Sequence, residues 1–235
     1  MNISVIVPYH KNAYGLVYTL TMLQNQTLVP SRIVLIDTSK DKSGLSLAKI
    51  YCYNRIPIIV ETAQCSIYEA WNKGIDLSPD SHCLFLNDDL VFPINMVELF
   101  SQSIQEDSLA LVPLTPSRAS TTNYIPKPFT YKSEGIKHMK TEWMPGFCFM
   151  LTKKCIQKVG LFNEQYKIWF GDTDYENRIK KYGEEQKIKY PIALLYGLYV
   201  HHFGGRSYHY KDEKTLSQID TDRTYYISQY GKPLW

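Results

Sequence analysis

The 235-residue chain contains no C-x-x-C pair. Its cysteines are scattered and odd in number, which does not suit a disulfide framework or a cysteine-based zinc site. We therefore expect reduced thiols and a cytoplasmic protein. The five residues are Cys52, Cys65, Cys83, Cys148 and Cys155.

Long apolar runs are also absent. The longest, from Ile192 to Val200, falls well short of the ~20 residues that span a bilayer. Residues 1–8 have neither a basic region nor an apolar region of the length that a signal peptide needs. The sequence therefore predicts no transmembrane segment.

The sequence has little excess of charge of either sign, because 26 Lys and Arg nearly balance 23 Asp and Glu, for a net charge of +3. This balance neither indicates nor excludes nucleic-acid binding. Tyrosine is abundant instead, with 19 residues. Tyrosine-rich surfaces stack on sugars or bases, but tyrosine also fills apolar cores, so its abundance alone does not decide the function.

Short apolar strands alternate with helical patterns through about the first 110 residues. This alternation predicts an α/β fold with a mostly parallel central sheet flanked by helices. Asn12 or a neighbour is expected to cap the first helix, in which the leucines recur at helical spacing. The predicted strands are 3–7, 32–36, 57–60, 83–86 and 194–202, and the predicted helices are 16–23, 45–53, 68–75, 153–159 and 172–182.

The chain is predicted to form a single domain over residues 1–235, with an N-terminal half at 1–110 and a second half at 111–235. Residues 113–142 place four prolines among serine, threonine and lysine. This composition is typical of a long surface loop or lid rather than of a linker between independent domains. No membrane-associating or extra helical tail is expected at the end of the sequence.

Polar residues follow three of the predicted strands, at Pro8–His10, Asp37–Ser39 and Asn87–Asp89. Ligands of parallel α/β sheets bind at the carboxyl ends of the strands. These three segments are therefore expected to converge on one binding site.

The adjacent carboxylates of Asp88 and Asp89 repel each other unless a cation or hydrogen-bond donors compensate. Oxygen ligands suit Mg²⁺ or Mn²⁺, which also bind substrate phosphates. The alternative is that one of the two caps a helix beginning near Pro93. Spacing alone leaves both interpretations open.

Two further groups carry possible chemistry. Asp172 and Asp174 lie at the start of a charged helix. Either could act as a general base, or both could simply interact favourably with the helix dipole. His201 and His202 end the last predicted strand, where an imidazole can bind a divalent metal or serve a structural role.

Seven motifs, in order from about residue 3 to 207, together resemble the family 2 glycosyltransferases, which have the GT-A fold. The acidic pair resembles the family's metal-binding DXD-type motif, and the segment around Asp172 resembles its "fxEDxDlxxR" motif. The matching segments are Val5–His10, Ile33–Ser39, Ile67–Ile75, Leu86–Asp89, Trp143–Phe147, Lys158–Glu164 and Phe170–Arg178.

The resemblance implies a role for each matching residue. Asp172 would be the general base that deprotonates the acceptor, and a divalent Mn²⁺ or Mg²⁺ would bind to Asp89 and to His202, with His201 as the less favoured choice. The first 110 residues would hold the nucleotide-sugar. The implied nucleotide-sugar-binding residues are Pro8, Tyr9, Asp37, Asn72 and Asp88, and the implied acceptor residues are Trp143, Gly146 and Trp169.

Two positions depart from the family pattern. Gly171 stands where the family usually has the Glu of its "ED" pair, which puts acceptor handling in question. Ser66 replaces the first glycine of the "GiydA" segment, a change that we expect to be harmless.

The implied reaction is inverting transfer from a nucleotide-diphospho-sugar, with UDP as the favoured nucleotide, to a glycan or lipid-linked glycan. A hydroxymethylated base of viral DNA is the alternative acceptor, because the chain is rich in tyrosine and slightly basic. A base held out of the duplex would need aromatic stacking partners. Residues proposed to stack on such a base are Tyr124, Phe129, Tyr131, Trp143 and Trp169, and residues proposed to offset the charge of the leaving group are Lys127, Lys132, Lys137 and Arg206.

Two other classes of protein fit the sequence less well. A sugar-phosphate nucleotidyltransferase would carry a glycine-rich basic loop after the first strand, yet residues 9–15 have one glycine and one lysine. A non-catalytic sugar- or nucleic-acid-binding module with a degenerate site would not need the acidic pair together with Asp172.

Overall fold

The computed structural model of the chain describes residues 2–51, 56–115, 137–141, 143–203 and 212–231. Its strands are β1 (Ile3–Tyr9), β2 (Arg32–Asp37), β3 (Ile58–Thr62), β4 (His82–Leu86), β5 (Leu90–Val91), β6 (Ala110–Leu114), β7 (Lys137–Lys140), β8 (Cys148–Leu151), β9 (Ile192–Tyr199) and β10 (His201–His202). The helices in the described ranges are α1 (Ala13–Gln24), α2 (Ser43–Tyr51), α3 (Ile67–Asp76), α4 (Met96–Gln102), α5 (Lys153–Val159), α6 (Gly171–Glu185) and α7 (Glu213–Tyr230).

Eight strands form one sheet in the order β3-β2-β1-β4-β8-β6-β9-β7. Strands β1 to β4 pair in parallel, and β6 pairs in parallel with β9. Only β8 and β7 run against the others within this sheet. The predicted α/β fold with a mostly parallel sheet is therefore confirmed.

The sheet has an apolar core on each face, because successive side chains of a strand point to opposite sides. Val5 and Val7 of β1 join the core that α1 covers, whereas Ile6 joins the core built around Trp71 of α3. Strands from both predicted halves of the chain share this sheet. The division of functions between residues 1–110 and 111–235 stays a prediction.

Local capping explains where two helices begin. The side chain of Asn12 accepts a hydrogen bond from the Gly15 amide at 3.2 Å, as expected for the cap of α1. Ser66 and Glu69 form a reciprocal capping box at the start of α3, in which each side chain binds the backbone of the other. The serine that departs from the family pattern therefore has a structural use here.

Both ends of the segment predicted as a loop or lid, residues 113–142, overlap strands. Pro113 and Leu114 belong to β6, and residues 137–140 form β7, which pairs with β9. Proline fits within β6 at an irregularity of the pairing between Pro113 and Leu114. The remainder of the proposed lid, residues 116–136 and 142, lies outside the described residues.

The expectation that the sequence has no extra helical tail is wrong, because α7 spans 18 residues at Glu213–Tyr230. The helix is hard to predict from the sequence because α7 buries few side chains. These are Ile219, Asp222 and Tyr226, of which two are polar or amphipathic. No continuous apolar stripe therefore marks it.

Membrane-spanning helices and disulfides are two features that the sequence predicts to be absent. Among the helices of the described ranges, none combines the length and the apolar character required to cross a bilayer. The four cysteines that the structure describes, Cys65, Cys83, Cys148 and Cys155, are free thiols.

Candidate active site

A cavity of about 350 Å³ lies where β4 ends and β8 begins. Asn87 follows β4 and lines the cavity, and its amide donates to the carbonyl of Phe147 at 2.9 Å, so the two strand ends are joined there. The cavity brings together residues predicted for three different roles. The predicted residues that line it are Trp143, Gly146, Trp169, Asp172 and His202.

Asp172 lies in the first turn of α6 and is half-buried. Desolvation by the surrounding protein raises the pKa of its carboxyl from the ordinary 3.8 to about 6, and the charge of Glu176 acts in the same direction. A hydrogen bond to the carboxylate from the Thr173 amide, at 3.0 Å, holds the pKa down, and the neighbouring Tyr68 side chain acts in the same direction. A carboxylate with a pKa near 6 is well matched to general base catalysis close to neutral pH.

Gly146 allows a neighbouring segment of backbone to approach Asp172 closely. A Cβ added at Gly146 would stand 2.2 Å from Asp172 Oδ2. The same segment is fixed to α6, because the Met144 amide donates to Glu176 Oε2 at 2.7 Å. Glu176 is buried and also accepts from Lys180 at 2.7 Å. The wall beside the predicted base is therefore held in place by α6 itself.

Tyr68 explains the glycine at position 171. A Cβ at Gly171 would lie 2.5 Å from Cζ of Tyr68, so the aromatic ring takes the space that a side chain there would need. The Tyr68 hydroxyl donates to the carbonyl of Ile168 at 3.2 Å, and burial raises the pKa of Tyr68 well above its usual value. Sequence reasoning missed Tyr68 as a residue of the site, although the departure at Gly171 was a signal that could have pointed to it.

Asp89 and His202, the two predicted metal ligands, are in contact. Asp89 Oδ1 lies 3.1 Å from His202 Nε2. The antiparallel pairing of β5 with β10 places His202 opposite Leu90, and the Phe203 amide donates to the Asp89 carbonyl at 3.1 Å. The Phe147 ring stacks on His202 with the ring centroids 4.0 Å apart. Backbone pairing and stacking therefore hold the imidazole against the carboxylate.

The chemistry of this pair suits a hard or borderline divalent ion, since one carboxylate oxygen and one imidazole nitrogen are common ligands of Mn²⁺. In the ranges of the chain that the structure covers, no group of three or more His, Cys, Asp and Glu residues could hold a metal. Substrate phosphates and water would have to supply the remaining ligands, as they usually do for such ions. His201 does not share this position, because its Nδ1 lies 3.2 Å from the Tyr199 hydroxyl.

Asp88 is buried and is tied to the start of α1. Its carbonyl accepts from Asn12 Nδ2 at 3.0 Å, and a Cβ at Gly15 would lie 1.9 Å from the same oxygen. The residue that caps α4 is Asn95. The alternative interpretation of the acidic pair as the cap of that helix is therefore wrong.

The polar residues at the carboxyl ends of β1 and β2 are connected by hydrogen bonds to the loop and helix that follow β2. Asp37 is buried and accepts from the amides of Ser39 at 2.9 Å and Leu45 at 2.8 Å, so its carboxylate shapes the loop that leads into α2. The Tyr9 hydroxyl lies 2.9 Å from Ser43 Oγ in the same helix. Pro8 is buried in β1 beside Ile36 of β2. Direct contact of Pro8, Tyr9 and Asp37 with a nucleotide stays a prediction.

Asn72 joins α3 to the segment that follows α5. Its amide donates to the Phe162 carbonyl at 2.9 Å and to Glu164 Oε1 at 2.8 Å, and its oxygen accepts from the Phe162 amide at 2.9 Å. The side chain is therefore engaged within the protein. In the predicted nucleotide pocket, Asn72 would therefore act by supporting this junction.

Asp174 occupies a different environment from Asp172. Asp174 is buried, pairs with Arg178 at 3.0 Å and accepts from the Tyr230 hydroxyl of α7 at 2.8 Å. This carboxylate joins α6 to α7.

Several predicted residues lie outside the described part of the chain. The side chain of Lys137 falls among these, although its backbone belongs to β7. The others are Tyr124, Lys127, Phe129, Tyr131, Lys132 and Arg206.

The fold and the arrangement at the strand ends define a class of protein. The structure resembles GalNAc-T7 with UDP, GalNAc and Mn²⁺, with a TM-score of 0.65 at 13% identity over 86% of this chain and 44% of the other. It also resembles S. aureus TarS, with a TM-score of 0.60 at 15% identity over 97% of this chain and 40% of the other. Both are glycosyltransferases with the GT-A fold, which this chain shares.

The family follows from the sequence. Residues 4–164, more than half of the chain, match the profile of Glycosyl transferase family 2, and the chain belongs to that family. No curated protein matches it significantly. The chain spans less than half of the length of either structural neighbour. Helices α6 and α7 lie beyond the matched residues.

Proposed function

We propose that the protein is an inverting, metal-dependent glycosyltransferase. It would move a sugar from a nucleotide-diphospho-sugar, UDP-sugar as the first choice, to a hydroxyl of a glycan or lipid-linked glycan. The observation that carries the proposal is that Asp172 and His202 line one cavity while His202 contacts Asp89. The predicted base and the predicted metal ligands are therefore neighbours, which supports this proposal.

The reaction follows from these positions. The acceptor oxygen attacks the anomeric carbon from the face opposite the diphosphate, and the bond from that carbon to the diphosphate oxygen breaks. The bonding electron pair leaves with the diphosphate, and the hydroxyl proton passes to Asp172. Attack from the opposite face inverts the anomeric configuration.

Asp89 and His202 would hold the divalent ion, Mn²⁺ or Mg²⁺. When bound, the ion supplies positive charge to the leaving diphosphate. The presence of UDP and Mn²⁺ in the GalNAc-T7 structure supports both choices for this chain. Asp88, Asp37, Tyr9 and Pro8 would bind the nucleotide at the ends of their strands.

Trp143 and Trp169 would contact the acceptor, with Gly146 leaving space beside the base. Indole faces stack on the apolar face of a sugar ring, which favours a glycan. The same indoles would also stack on a hydroxymethylated base of DNA, which is the second acceptor that we propose. The proposed cytoplasmic location rests on the odd number and scattered spacing of the cysteines in the sequence.

The test is a panel of nucleotide-diphospho-sugars, screened first by thermal shift with Mn²⁺ and then for release of nucleoside diphosphate. Release by the wild-type protein that falls ~10²–10⁴-fold in Asp172→Asn supports the proposal. Release of pyrophosphate instead would indicate a nucleotidyltransferase. Binding with neither product would indicate a non-catalytic sugar- or nucleic-acid-binding protein.

A further inference from the structure

The segment Lys167–Phe170 leads into the catalytic helix α6 and forms part of the cavity wall. Ile168, Trp169 and Phe170 line the cavity. Phe170 has a φ of 68°, a left-handed conformation that bulky residues rarely adopt. Such a conformation persists only where the surroundings hold it, and it is found most often at functional sites.

A single carboxylate on α7 holds this segment. Asp222 is 1% exposed and accepts from three consecutive backbone amides. Its Oδ2 accepts from Ile168 at 2.7 Å and from Trp169 at 2.9 Å, and both oxygens lie 3.2 Å from the Lys167 amide. Gln218, one turn earlier on α7, donates to Oδ1 at 3.0 Å.

Other contacts of α7 reach Phe170, which precedes α6, and Asn177 within that helix. The Tyr226 ring lies 5.1 Å from the ring of Phe170, and Asn177 donates to the Tyr226 hydroxyl at 2.8 Å. On the opposite side of the segment, Tyr68 donates to the Ile168 carbonyl, and its ring abuts Gly171. The segment is therefore held between α3 and α7, with Asp172 immediately beyond it.

We infer that Asp222 is a positioning residue for the acceptor side of the active site. It acts through the backbone of residues 167–169, which sets the position of Trp169 and the start of α6. Its own carboxylate does not touch the reacting atoms. The expected effect on catalysis rests on the proposed transfer reaction. The expected effect on the backbone of residues 167–169 rests only on the contacts of Asp222.

The substitution Asp222→Asn tests this role because an amide cannot replace the carboxylate. Both carboxylate oxygens accept hydrogen bonds here, whereas asparagine offers one oxygen and one donor. In either orientation its NH₂ group would face at least one backbone N–H. Asp220→Asn is the matched control, because Asp220 lies on the same helix, is 71% exposed and pairs with Arg223.

Hydrogen exchange measures the structural consequence directly. In Asp222→Asn we expect the amides of residues 167–169 to exchange at least about tenfold faster, from the loss of charge-assisted hydrogen bonds. The affinity for UDP with Mn²⁺ should stay within about twofold of the wild type, since the hydrogen bonds that Asp222 makes to Lys167, Ile168, Trp169 and Gln218 do not involve Asp89 or His202. Asp220→Asn should change neither quantity. Unchanged exchange at residues 167–169 in Asp222→Asn would overturn the inference.

Kinetics measure the functional consequence, with p-nitrophenyl glycopyranosides as acceptor probes. We expect Asp222→Asn to raise the acceptor KM about tenfold or more while the donor KM stays unchanged, because a displaced wall weakens acceptor contacts. Equal rises of both KM values would contradict a role on the acceptor side. If the wild type transfers to no probe and releases no nucleoside diphosphate, the proposed function fails, whereas the exchange result still decides the role of Asp222.

A second variant covers the case in which Asp222→Asn does not fold. Asp222→Glu keeps two accepting oxygens but displaces them by one methylene. Faster exchange confined to residues 167–169, with UDP affinity retained, would support the inference, and exchange equal to that of the wild type would oppose it.

Discussion

Gly146 lies directly against the carboxylate of Asp172, with the position of a Cβ at residue 146 only 2.2 Å from Oδ2 and 3.0 Å from Cγ. Neither group can move away easily. Gly146 is fixed through Met144 to Glu176, and Asp172 is fixed in the first turn of α6. The glycine therefore determines where the predicted base can stand.

Gly146→Ala should displace the Asp172 carboxylate and lower turnover about 10²-fold, because a shift of ~1 Å in a reacting group has an effect of that size. The affinity for UDP with Mn²⁺ should not change. Turnover at saturating donor and calorimetry of UDP binding check the two expectations. Wild-type turnover in Gly146→Ala would show that the Asp172 carboxylate can move without loss of activity, so that Gly146 does not determine its position.

Asp172 and Asp174 form a matched pair for a second prediction. Asp172→Asn keeps the shape of the side chain but removes the proton acceptor, so turnover should fall ~10²–10⁴-fold with donor binding intact. Asp174→Asn instead weakens the bonds to Arg178 and Tyr230, and should lower the free energy of unfolding by about 1–3 kcal/mol with a smaller effect on rate. Urea denaturation and turnover, measured on both variants, separate the two roles. The reverse pattern would exchange the assignments.

Local patterns were sufficient to predict most of the sheet and its helices. The apolar run of β1 and the leucine spacing of α1 act within a few residues, and the structure has both elements close to the predicted bounds. Helix α7 was missed because its few buried side chains contact α6 and residues 167–169, which no local pattern reveals.

The same distinction applies to the site. Asp89, His202 and Asp172 carry recognisable motifs, and the structure brings them to one region. Tyr68 and Asp222 act through contacts with residues about 100 and 54 positions away in sequence, so their roles emerge only when the chain is folded.

The contact between Asp89 and His202 leads to a prediction about metal binding. Asp89→Ala and His202→Ala should each fold but lose most of the Mn²⁺-dependent rise in melting temperature that UDP produces, because each removes a proposed ligand. His201→Ala is the control, since His201 contacts Tyr199 and not Asp89. Thermal shift with UDP, in the presence of Mn²⁺ or of a chelator, makes the comparison. If the chelator and both substitutions leave the UDP shift unchanged, the assigned metal site is wrong.

Tyr68 should tune the predicted base. The polar side chain of Tyr68 acts to lower the pKa of the Asp172 carboxyl, so Tyr68→Phe removes the effect and raises the pKa further. The acid limb of the pH–rate profile should therefore move to higher pH in Tyr68→Phe. Tyr225→Phe provides the control, because the Tyr225 hydroxyl accepts from Asn163 and lies away from Asp172. An acid limb at the same pH in Tyr68→Phe and wild type would exclude this influence.

Asp172 also makes the stability of the protein depend on pH. The pKa of this carboxyl is about 6 in the folded chain and near 3.8 when it is unfolded, so the folded state binds the proton more tightly. The resulting stabilisation is complete below about pH 4 and is lost as the pH rises through about 6. Asparagine resembles the neutral acid at every pH. Asp172→Asn should therefore exceed the wild type in free energy of unfolding by roughly 1–3 kcal/mol at pH 8, and the two should converge below about pH 4.

Urea denaturation of the two proteins without nucleotide, from pH 4 to pH 8, measures this difference. Asp174→Asn is the internal comparison, because it should be less stable than the wild type at pH 8. A difference between Asp172→Asn and wild type that does not grow with pH would mean that the carboxyl is not desolvated in the fold. Growth of the difference, together with the loss of turnover, would show that the fold sacrifices stability to keep an ionised base in the cavity.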